Sequence, residues 1–417
     1  MPVRLDRLPG LAPRPVPPRW WRWLGGLPCF LLVGVVVTVL WGGEPIARQP
    51  LLFWSLALGI PALCWGLLAA GRWLVYIGQH LLADGWDAQR WQVLLQQTRQ
   101  GRRSLQVLGA VLHTAHSDEE HPERQLSALM HNENALLSQP SWEGQAAVRH
   151  SRLPQLENPW GEVEEDEPSE AVIQRLLLSL FTSFAETLSP LDETVPLKLI
   201  VESNTALSDE ALQQVWQTAW DDAGMTHPMS RIDGSGLSGV DDWLDNHIHD
   251  AALLVVVALQ IHPEHPEMTA ESAVGLIFGN RLTQTTLSPQ AYLHRPEFAP
   301  ESRLEYAARQ ALDWVPMAPE SVSHVWLSGL RDESTALLST VMETLAFPVT
   351  REQGIYDLGA SLGQPGCVTP WLAIAAATQA AQLTLAPQFI FSGMPAPDTG
   401  VWSTVISPPL SPQEITQ

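Results

Sequence analysis

The chain has 417 residues, of which 45% are hydrophobic and 16% are charged, and it carries a formal net charge of −22. This composition excludes a disordered or purely fibrous protein and leaves room for one large domain together with membrane segments. Residues 104–417 contain 12 basic and 41 acidic side chains, a balance of −29, whereas residues 1–103 contain 11 and 4, a balance of +7. Nucleic acid is therefore not expected as a partner, and basic proteins are.

Two apolar stretches lie near the N-terminus, from Trp23 to Trp41 and from Leu51 to Tyr76. Each is long enough to cross a hydrocarbon core of about 30 Å. A signal peptide is the alternative for the first stretch, but the stretch ends in Trp-Gly-Gly-Glu rather than in the small residues of a cleavage site. We therefore predict two transmembrane helices within residues 23–77.

Basic residues predict the orientation of these helices. Five arginines precede the first stretch and four follow the second, whereas the connection between them contains only Arg48. Because basic segments stay on the cytoplasmic side, both ends of the chain are expected in the cytoplasm, and residues 1–22 form a basic cytoplasmic segment. Cys29, Cys64 and Cys367 offer no disulfide framework, which agrees with a reducing compartment. The expected location is a bacterial inner membrane.

The rest of the chain is predicted as an α/β domain that follows a juxtamembrane helix over residues 78–103. The acidic run from Glu162 to Glu167, in a proline-rich tract, is typical of a solvated loop. Elsewhere, apolar helices alternate with buried strands in an order that recurs, which predicts helices on both sheet faces and an internal duplication. The predicted helices are Ala171–Leu188, Ser208–Ala223, Arg303–Leu312 and Ser334–Leu345, and the predicted strands are Leu105–Leu112, Leu197–Val201, Ala252–Leu259, Ala273–Phe278, Val325–Ser328, Gln388–Ser392 and Val401–Ile406.

The stretch from Ile355 to Ala380 is the most informative part of this domain. A loop with spaced glycines runs directly into a helix so apolar that it must be buried on every side. The N-terminus of a buried helix carries unpaired N–H groups and a partial positive charge, so a catalytic or anion-binding residue is often found there. Here the loop presents Gln364, and the only reactive side chain beside it is Cys367.

Seven segments follow one another in a recognisable order: SLQVLGAVLHT, LKLIVESN, HDAALLVVVAL, ESAVGLIFGN, VWLSGLRDES, YDLGASLGQPGCVTPWLAIAAATQAAQ and FSGMPAPDTGVWSTVIS. In this order they resemble the β-ketoacyl synthase branch of the thiolase fold over residues 104–410, which leaves 411–417 as a tail. The resemblance implies duplicated α/β/α/β/α layers. It also implies pairing through an edge strand of the sheet, as a homodimer or as a heterodimer with a related subunit.

The sequence departs from this family at the catalytic positions. Active members use a cysteine at the N-terminus of a buried helix and two histidines that assist at the thioester carbonyl. The cysteine position falls on Ser235 or Gly236, the first histidine position near Ser328 or Gly329, and the second on Gln364. Glutamine is neither an acid nor a base near neutral pH, and an unassisted serine is a weak nucleophile. Condensation chemistry is therefore not expected.

The segment from Gly234 to Gly239 could be interpreted as a dinucleotide-binding loop or as part of a serine hydrolase site, but the neighbouring residues argue against both. It fits GxGxxG, but the aspartates Asp241 and Asp242 follow it and would repel a pyrophosphate. A hydrolase that uses Ser235 or Ser238, with His247 or His249 as base, lacks the GxSxG pattern. The expected role of the segment is the start of a helix.

A metal site is also not predicted. The histidines of HIHD and HPEHPE are His247, His249, His262 and His265, and the first pair has an i, i+2 spacing that brings two rings to one face only of a strand, whereas this segment is predicted as a helix end. Surface turns are the expected setting. Cys367 is expected to be a buried structural thiol, since an apolar neighbourhood raises a thiol pKa. No cofactor is predicted.

These observations predict a catalytically inactive, inner-membrane-anchored ketosynthase-like protein that acts as a cytoplasmic protein-binding adaptor. Degenerate ketosynthase-like proteins are among the accessory proteins of bacterial secretion systems, and by that analogy a type VI-like system is the expected setting. Two alternatives stay open. One is a divergent acyltransferase or lipid-processing enzyme that uses Ser235, and the other is an acyl-ligand sensor without turnover.

Overall fold

The computed structural model divides the chain into two compact units, residues 4–98 and residues 99–417, the second together with residues 1–3. The acidic run from Glu162 to Glu167, the closing loop 394–399 and the tail 411–417 lie outside the described residues, so the predictions made for them stay predictions. The described residues are 3, 5, 8–41, 43, 49–118, 121–140, 147–154, 169–393 and 400–409.

Two long apolar helices dominate the first unit. Helix α1 covers Trp20–Trp41, and helix α2 covers Pro50–Gly101 with a π-helical turn at Ser55–Gly59. Pro61 explains this turn, because proline has no N–H for the carbonyl of Ala57. By length and composition both helices suffice to cross a membrane. The predicted juxtamembrane helix over 78–103 is the last part of α2 rather than a separate element.

Small side chains allow α1 and α2 to approach closely within the first unit. Gly34 of α1 lies against the ring of Pro61 and the carbonyl of Ala57, and an added Cβ would overlap both. The indole Nε1 of Trp65 donates to the carbonyl of Trp23 at 3.0 Å. Close backbone contact at small residues is typical of helix pairs in membranes.

Polar contacts join the segment before α1 to the second half of α2. The guanidinium of Arg14 forms ion pairs with Asp84 and Asp87. In the same stretch, Arg90 Nε donates to the carbonyl of Pro9 at 2.7 Å. The segment that precedes the first apolar stretch therefore lies beside the segment that follows the second.

A mixed sheet of eleven described strands forms the centre of the second unit, and a separate pair, β2 and β3, lies outside it. The strands are β1 Ser104–His113, β2 Leu137–Gln139, β3 Val148–His150, β4 Leu197–Thr205, β5 Met229–Arg231, β6 Leu253–Ile261, β7 Ser272–Asn280, β8 Ala291–His294, β9 Glu297–Pro300, β10 Val325–Ser328, β11 Ile355–Asp357, β12 Gln388–Gly393 and β13 Gly400–Ser407. The order in the sheet is β11-β10-β12-β13-β8-β1-β7-β6-β4-β5, and β9 pairs with β13.

Eight helices of the described chain belong to this unit. They are α3 Pro122–Met130, α4 Ser169–Leu188, α5 Asp209–Asp222, α6 Gly236–Asn246, α7 Leu304–Trp314, α8 Asp332–Thr344, α9 Leu358–Ser361 and α10 Thr369–Thr384. Ser208 caps the N-terminus of helix α5, because its Oγ accepts a hydrogen bond from the N–H of Ala211. The predicted helices and strands are all present, with ends that differ by a few residues.

The strand order repeats in the two halves of the sheet, as the sequence predicts. Strands β5, β4 and β6 are parallel, and β7 and β1 then follow antiparallel. Strands β11, β10 and β12 are likewise parallel, and β13 and β8 follow antiparallel. Helix α6 between β5 and β6 therefore occupies the place that α10 occupies between β11 and β12.

Helix α10 is the centre of the core. Nearly all of its residues are buried, and it contacts β1 and β7 of one half as well as β10 and β12 of the other. Its run of alanines lets these strands approach it from several sides. Helix α4 is a third helix with the length and composition of a membrane span, but Ile173, Leu177, Phe181 and Phe184 are buried in the domain core.

Candidate functional site

The loop that enters α10 is held by a buried glutamine from the end of β6. Gln260 Nε2 donates to the carbonyl of Gln364 at 2.8 Å and to that of Ala270 at 2.9 Å. Gly363 and Gly366 have φ values of 103° and 54°. A Cβ on Gly366 would overlap Gln260 Oε1, so both the conformation and the close contact require glycine there.

Gln364, which the resemblance implies lies at the second histidine position, is held by its backbone and exposes its side chain. Its N–H donates to the carbonyl of Met268 at 2.8 Å, and its carbonyl accepts from the N–H of Ala270 at 3.0 Å. The side-chain Nε2 makes only a long contact of 3.4 Å with the carbonyl of Leu330. The loop therefore presents a neutral amide where an active enzyme needs an imidazole.

Ser328 and Gly329, which the resemblance implies lie at the first histidine position, are tightly packed. Ser328 is buried, and its Oγ donates to the carbonyl of Thr369 at 2.9 Å. Gly329 has a φ of 61°, and a Cβ there would overlap the side chain of Thr369. Gly393 packs against the carbonyl of Gly329 from the other side. No histidine ring fits at Gly329 in this arrangement, and the hydroxyl of Ser328 is already bonded.

The position predicted to correspond to the catalytic cysteine, Ser235 and Gly236, lies at the N-terminus of α6. Ser235 is exposed and its hydroxyl does not cap the helix. The N–H of Gly236 instead donates to Glu202 Oε1 at 2.6 Å, and Trp371 Nε1 donates to the same oxygen at 3.0 Å. A carboxyl group of the protein itself therefore occupies the N-terminus of α6, where the resemblance implies the nucleophile of an active ketosynthase.

Burial raises the pKa of Glu202, and the two hydrogen bonds from Gly236 and Trp371 oppose this effect by favouring the ionised form. The same carboxylate affects its neighbour Cys367. Burial first, and then the charge of Glu202, raise the pKa of this thiol to about 12, and the sulfur donates to the carbonyl of Leu259 at 3.4 Å. The thiol of Cys367 is therefore held in its neutral form, and its side chain is partly rather than fully buried.

The three positions that the resemblance implies are degenerate lie around one feature, the start of α10. Gly236 faces the ring of Pro370, Ser328 bonds to Thr369, and Gln364 lies in the loop that leads into the helix. The structure thus brings together the positions that the sequence places far apart. Their side chains are an alcohol, an amide and a hydrogen atom, and the carboxylate beside them is bonded to a tryptophan and a backbone N–H.

The remaining sequence candidates have other partners. Asp241, after the GxGxxG segment, lies 3.4 Å from the guanidinium of the buried Arg295. His247 bonds to Asp250 at 2.7 Å. Burial lowers the pKa of His262 to about 4. Within the described ranges no group of three histidines, cysteines or carboxylates is arranged to hold a metal ion.

Sequence reasoning missed Glu202 and Gln260, the two side chains that organise the site. Both belong to the adjacent parallel strands β4 and β6, and both lie toward the carboxyl ends of these strands. Polar residues near the carboxyl ends of parallel strands commonly face the ligand crevice of an α/β sheet, so the position of Gln260 in the otherwise apolar strand β6 was a usable signal.

No protein-family model matches the sequence, and no curated protein sequence matches it. Solved structures do match the fold. The ishigamide ketosynthase/chain length factor has a TM-score of 0.53 and 12% identity, and the match covers 73% of this chain and 99% of that chain. A type II polyketide synthase ketosynthase in complex with its acyl-carrier protein, AntDE:AntF, has a TM-score of 0.51 and 11% identity, over 74% of this chain and 100% of that chain.

A further similar structure is the PfaC keto synthase-chain length factor, with a TM-score of 0.50 and 13% identity. That match covers 74% of this chain but only 43% of the other chain, so the protein spans less than half of its length. At such low identities these matches show the fold alone. The chain has a ketosynthase-like fold of the thiolase type, as the resemblance of the sequence implied.

Proposed function

We propose that this protein is a catalytically inactive ketosynthase-like protein that is anchored in a bacterial inner membrane and acts as a protein-binding adaptor in the cytoplasm. The observation that carries the proposal is the contact of the Glu202 carboxylate with the N–H of Gly236. It puts a carboxyl oxygen on the helix end that condensation chemistry requires to stabilise a thiolate and an oxyanion.

The absence of an acid–base pair at the three equivalent positions supports the same conclusion. Condensation needs a nucleophile that is ionised or deprotonated by a neighbour, and it needs donors aimed at the carbonyl oxygen. Ser235 is exposed without a described base beside it, and Cys367 holds its proton because its pKa is about 12. The ketosynthase-like fold then serves as a scaffold rather than as a catalyst.

The charge distribution supports a protein partner. Residues 104–417 carry a balance of −29 and residues 1–103 one of +7. An acidic domain attracts basic surfaces, and salt weakens such encounters. The short edge strand β5 is exposed, which suits pairing with a second copy or a related subunit through the sheet edge. A type VI-like secretion system is the setting that the analogy with other degenerate ketosynthases suggests.

Membrane anchoring rests on α1 and the apolar part of α2. Both are long and apolar enough to span a bilayer. The ion pairs of Arg14 with Asp84 and Asp87 join the two flanks, which suits flanks that lie on the same side of a membrane.

Cysteine-accessibility labelling of intact cells tests the orientation of the two flanks. Introduced cysteines at both flanks are expected to resist a membrane-impermeant maleimide until the inner membrane is opened.

The adaptor function is tested by affinity purification of the full-length protein from its host in mild detergent, at low and at high salt. We expect protein partners in stoichiometric amount at low salt and their loss at high salt. A serine-reactive probe is added to the same sample, with Ser235→Ala as the control. Labelling of Ser235 without any partner would support the acyltransferase alternative instead, and stoichiometric bound lipid without a partner would support the acyl-ligand sensor.

A further inference from the structure

An open groove of about 900 Å³ lies beside strand β11, at the end of the sheet opposite to β5. One wall is helix α8, and the other is formed by β11 and the short helix α9. Buried side chains provide an apolar floor, namely Leu327, Met342 and Phe347. The volume falls in the upper range of ligand-binding clefts, which are about 300–1,000 Å³.

Strand β11 does not offer its backbone to an added strand. Asn132 Nδ2 donates to the carbonyl of Ile355 at 2.9 Å, and Asn132 Oδ1 accepts from the N–H of Asp357 at 2.7 Å. The amide of Asn132 thus takes the place of a neighbouring strand at this edge. A segment that binds in the groove must therefore be recognised through its side chains rather than by strand addition.

The charged side chains of the groove are mostly acidic. Its lining contains Asp332, Glu343 and Asp357, and the only basic residue in it is Arg351. Glu343 lies in the last turn of α8, where a carboxylate is unfavourable because the C-terminal end of a helix is partially negative. The position of Glu343 therefore does not stabilise the helix. It places an exposed carboxylate at the C-terminal end of α8, while Asp332 places another at the N-terminal end.

We propose that this groove binds a segment of a partner protein that presents lysine or arginine beside apolar side chains. The carboxylates of Asp332 and Glu343 receive the cationic groups, and the apolar side chains cover Met342 and Phe347. The acidic domain around the groove attracts such a segment from solution. This inference rests on the proposed adaptor function and names the surface and the partner chemistry for it.

The test uses the full-length protein in phosphatidylcholine nanodiscs and three fluorescent ten-residue peptides, one of lysine and leucine, one of lysine and serine, and one of glutamate and leucine. Empty nanodiscs correct for binding to lipid. By fluorescence anisotropy the lysine and leucine peptide is expected to bind at least tenfold more tightly than the other two. Equal binding of the lysine and serine peptide would overturn the proposal, because charge alone would then explain it.

Two variants locate the binding surface. The double substitution Asp332→Lys and Glu343→Lys is expected to weaken the peptide at least tenfold. The matched control, Asp221→Lys and Asp222→Lys at the end of α5, changes the net charge equally outside the groove lining and is expected to keep the affinity within twofold. An equal loss in this control would overturn the proposal.

Ala336→Trp fills the groove from the exposed face of α8 without a change of charge. It is expected to block binding of the peptide while the thermal unfolding temperature stays that of the unmodified protein.

Co-purification from the host distinguishes the groove proposal from the adaptor proposal. Partners that remain bound to the Asp332→Lys and Glu343→Lys variant would refute the groove and leave the adaptor function intact, whereas a wild-type protein without any partner would refute the adaptor function itself.

Discussion

Removal of the Glu202 side chain should destabilise the domain through two orphaned donors. Glu202→Ala leaves the N–H of Gly236 and the indole N–H of Trp371 without their common acceptor. Trp371 is fully buried, and an unpaired buried donor costs about 1–3 kcal/mol. Glu202 itself is only partly buried, so in the variant water can bond to the N–H of Gly236 and lower the free-energy cost of that lost hydrogen bond. We expect a loss of about 2–4 kcal/mol in the free energy of unfolding.

Glu202→Gln tests the acceptor oxygen separately from the negative charge, because glutamine keeps the oxygen and cannot ionise. The amide oxygen accepts both bonds, and the cost of burying a carboxylate disappears. Burial raises the pKa of Glu202, so the native state binds this proton more tightly than the unfolded state does. Wild-type stability from this group is therefore highest below the unfolded pKa and falls as the pH rises through the folded pKa. The glutamine variant should lack that fall and equal or exceed the wild type at pH 7.5.

Thermal unfolding of the full-length proteins in detergent, followed by circular dichroism at pH 5.0 and pH 7.5, measures these differences. The expected order of stability at pH 7.5 is glutamine variant, wild type, alanine variant. An alanine variant within about 0.5 kcal/mol of the wild type would refute the assignment of Glu202 as the required acceptor. A glutamine variant as unstable as alanine would show that the negative charge, rather than the acceptor oxygen, holds the site together.

Three further predictions concern other parts of the second unit. Arg295→Met leaves Asp241 without its buried cation and should cost about 3–5 kcal/mol, and Asp241→Leu in the same chain should recover part of this in thermal unfolding. Cys367 should resist iodoacetamide at pH 8 in the folded protein and react after unfolding, because its pKa is raised to about 12. Peptide mass spectrometry measures the labelling, and rapid labelling of the folded protein would contradict this prediction. Ala346, after the end of α8, has a φ of 58°, which is unfavourable for a residue with a Cβ. Ala346→Gly should therefore raise the free energy of unfolding by about 0.5–1 kcal/mol in thermal unfolding, and a lower stability would contradict this prediction.

The sequence predicted well those elements whose pattern depends on burial alone. Strands β6 and β7 are buried along their whole length, and α10 is buried on nearly all sides, so their apolar runs contained the full signal. The repeated order of helices and strands likewise anticipated the repeated topology of the sheet. The ketosynthase-like fold followed from the order of seven weak segments, none of which is specific alone.

Short elements were missed because their stability comes from tertiary contacts rather than from their own pattern. Strand β11 has three residues and pairs with β10 and the side chain of Asn132. Helix α3 has only Leu126, Ala128 and Leu129 as buried apolar residues within a polar tract. Neither a period of two nor one of 3.6 is visible over so few residues.

The organisation of the candidate site could not be predicted from the sequence. Ser328 and Gln364 lie at the start of α10 and Gly236 lies against Pro370, and their correspondence to catalytic positions of ketosynthases stays a prediction. No spacing along the chain joins Glu202 to Gly236 or Gln260 to the loop of Gly366, because in each pair a strand residue meets a helix start or a loop only through the tertiary fold. Partners that are distant along the chain therefore had to be read from the structure.

Native mass spectrometry of the full-length protein, purified in mild detergent from its host, tests the central claim most directly. A non-catalytic adaptor predicts a stoichiometric complex with a basic protein that dissociates as salt increases, and an unmodified mass for the peptide that contains Ser235. An acyl group on Ser235, in a protein without any bound partner, would contradict the claim and establish an enzyme.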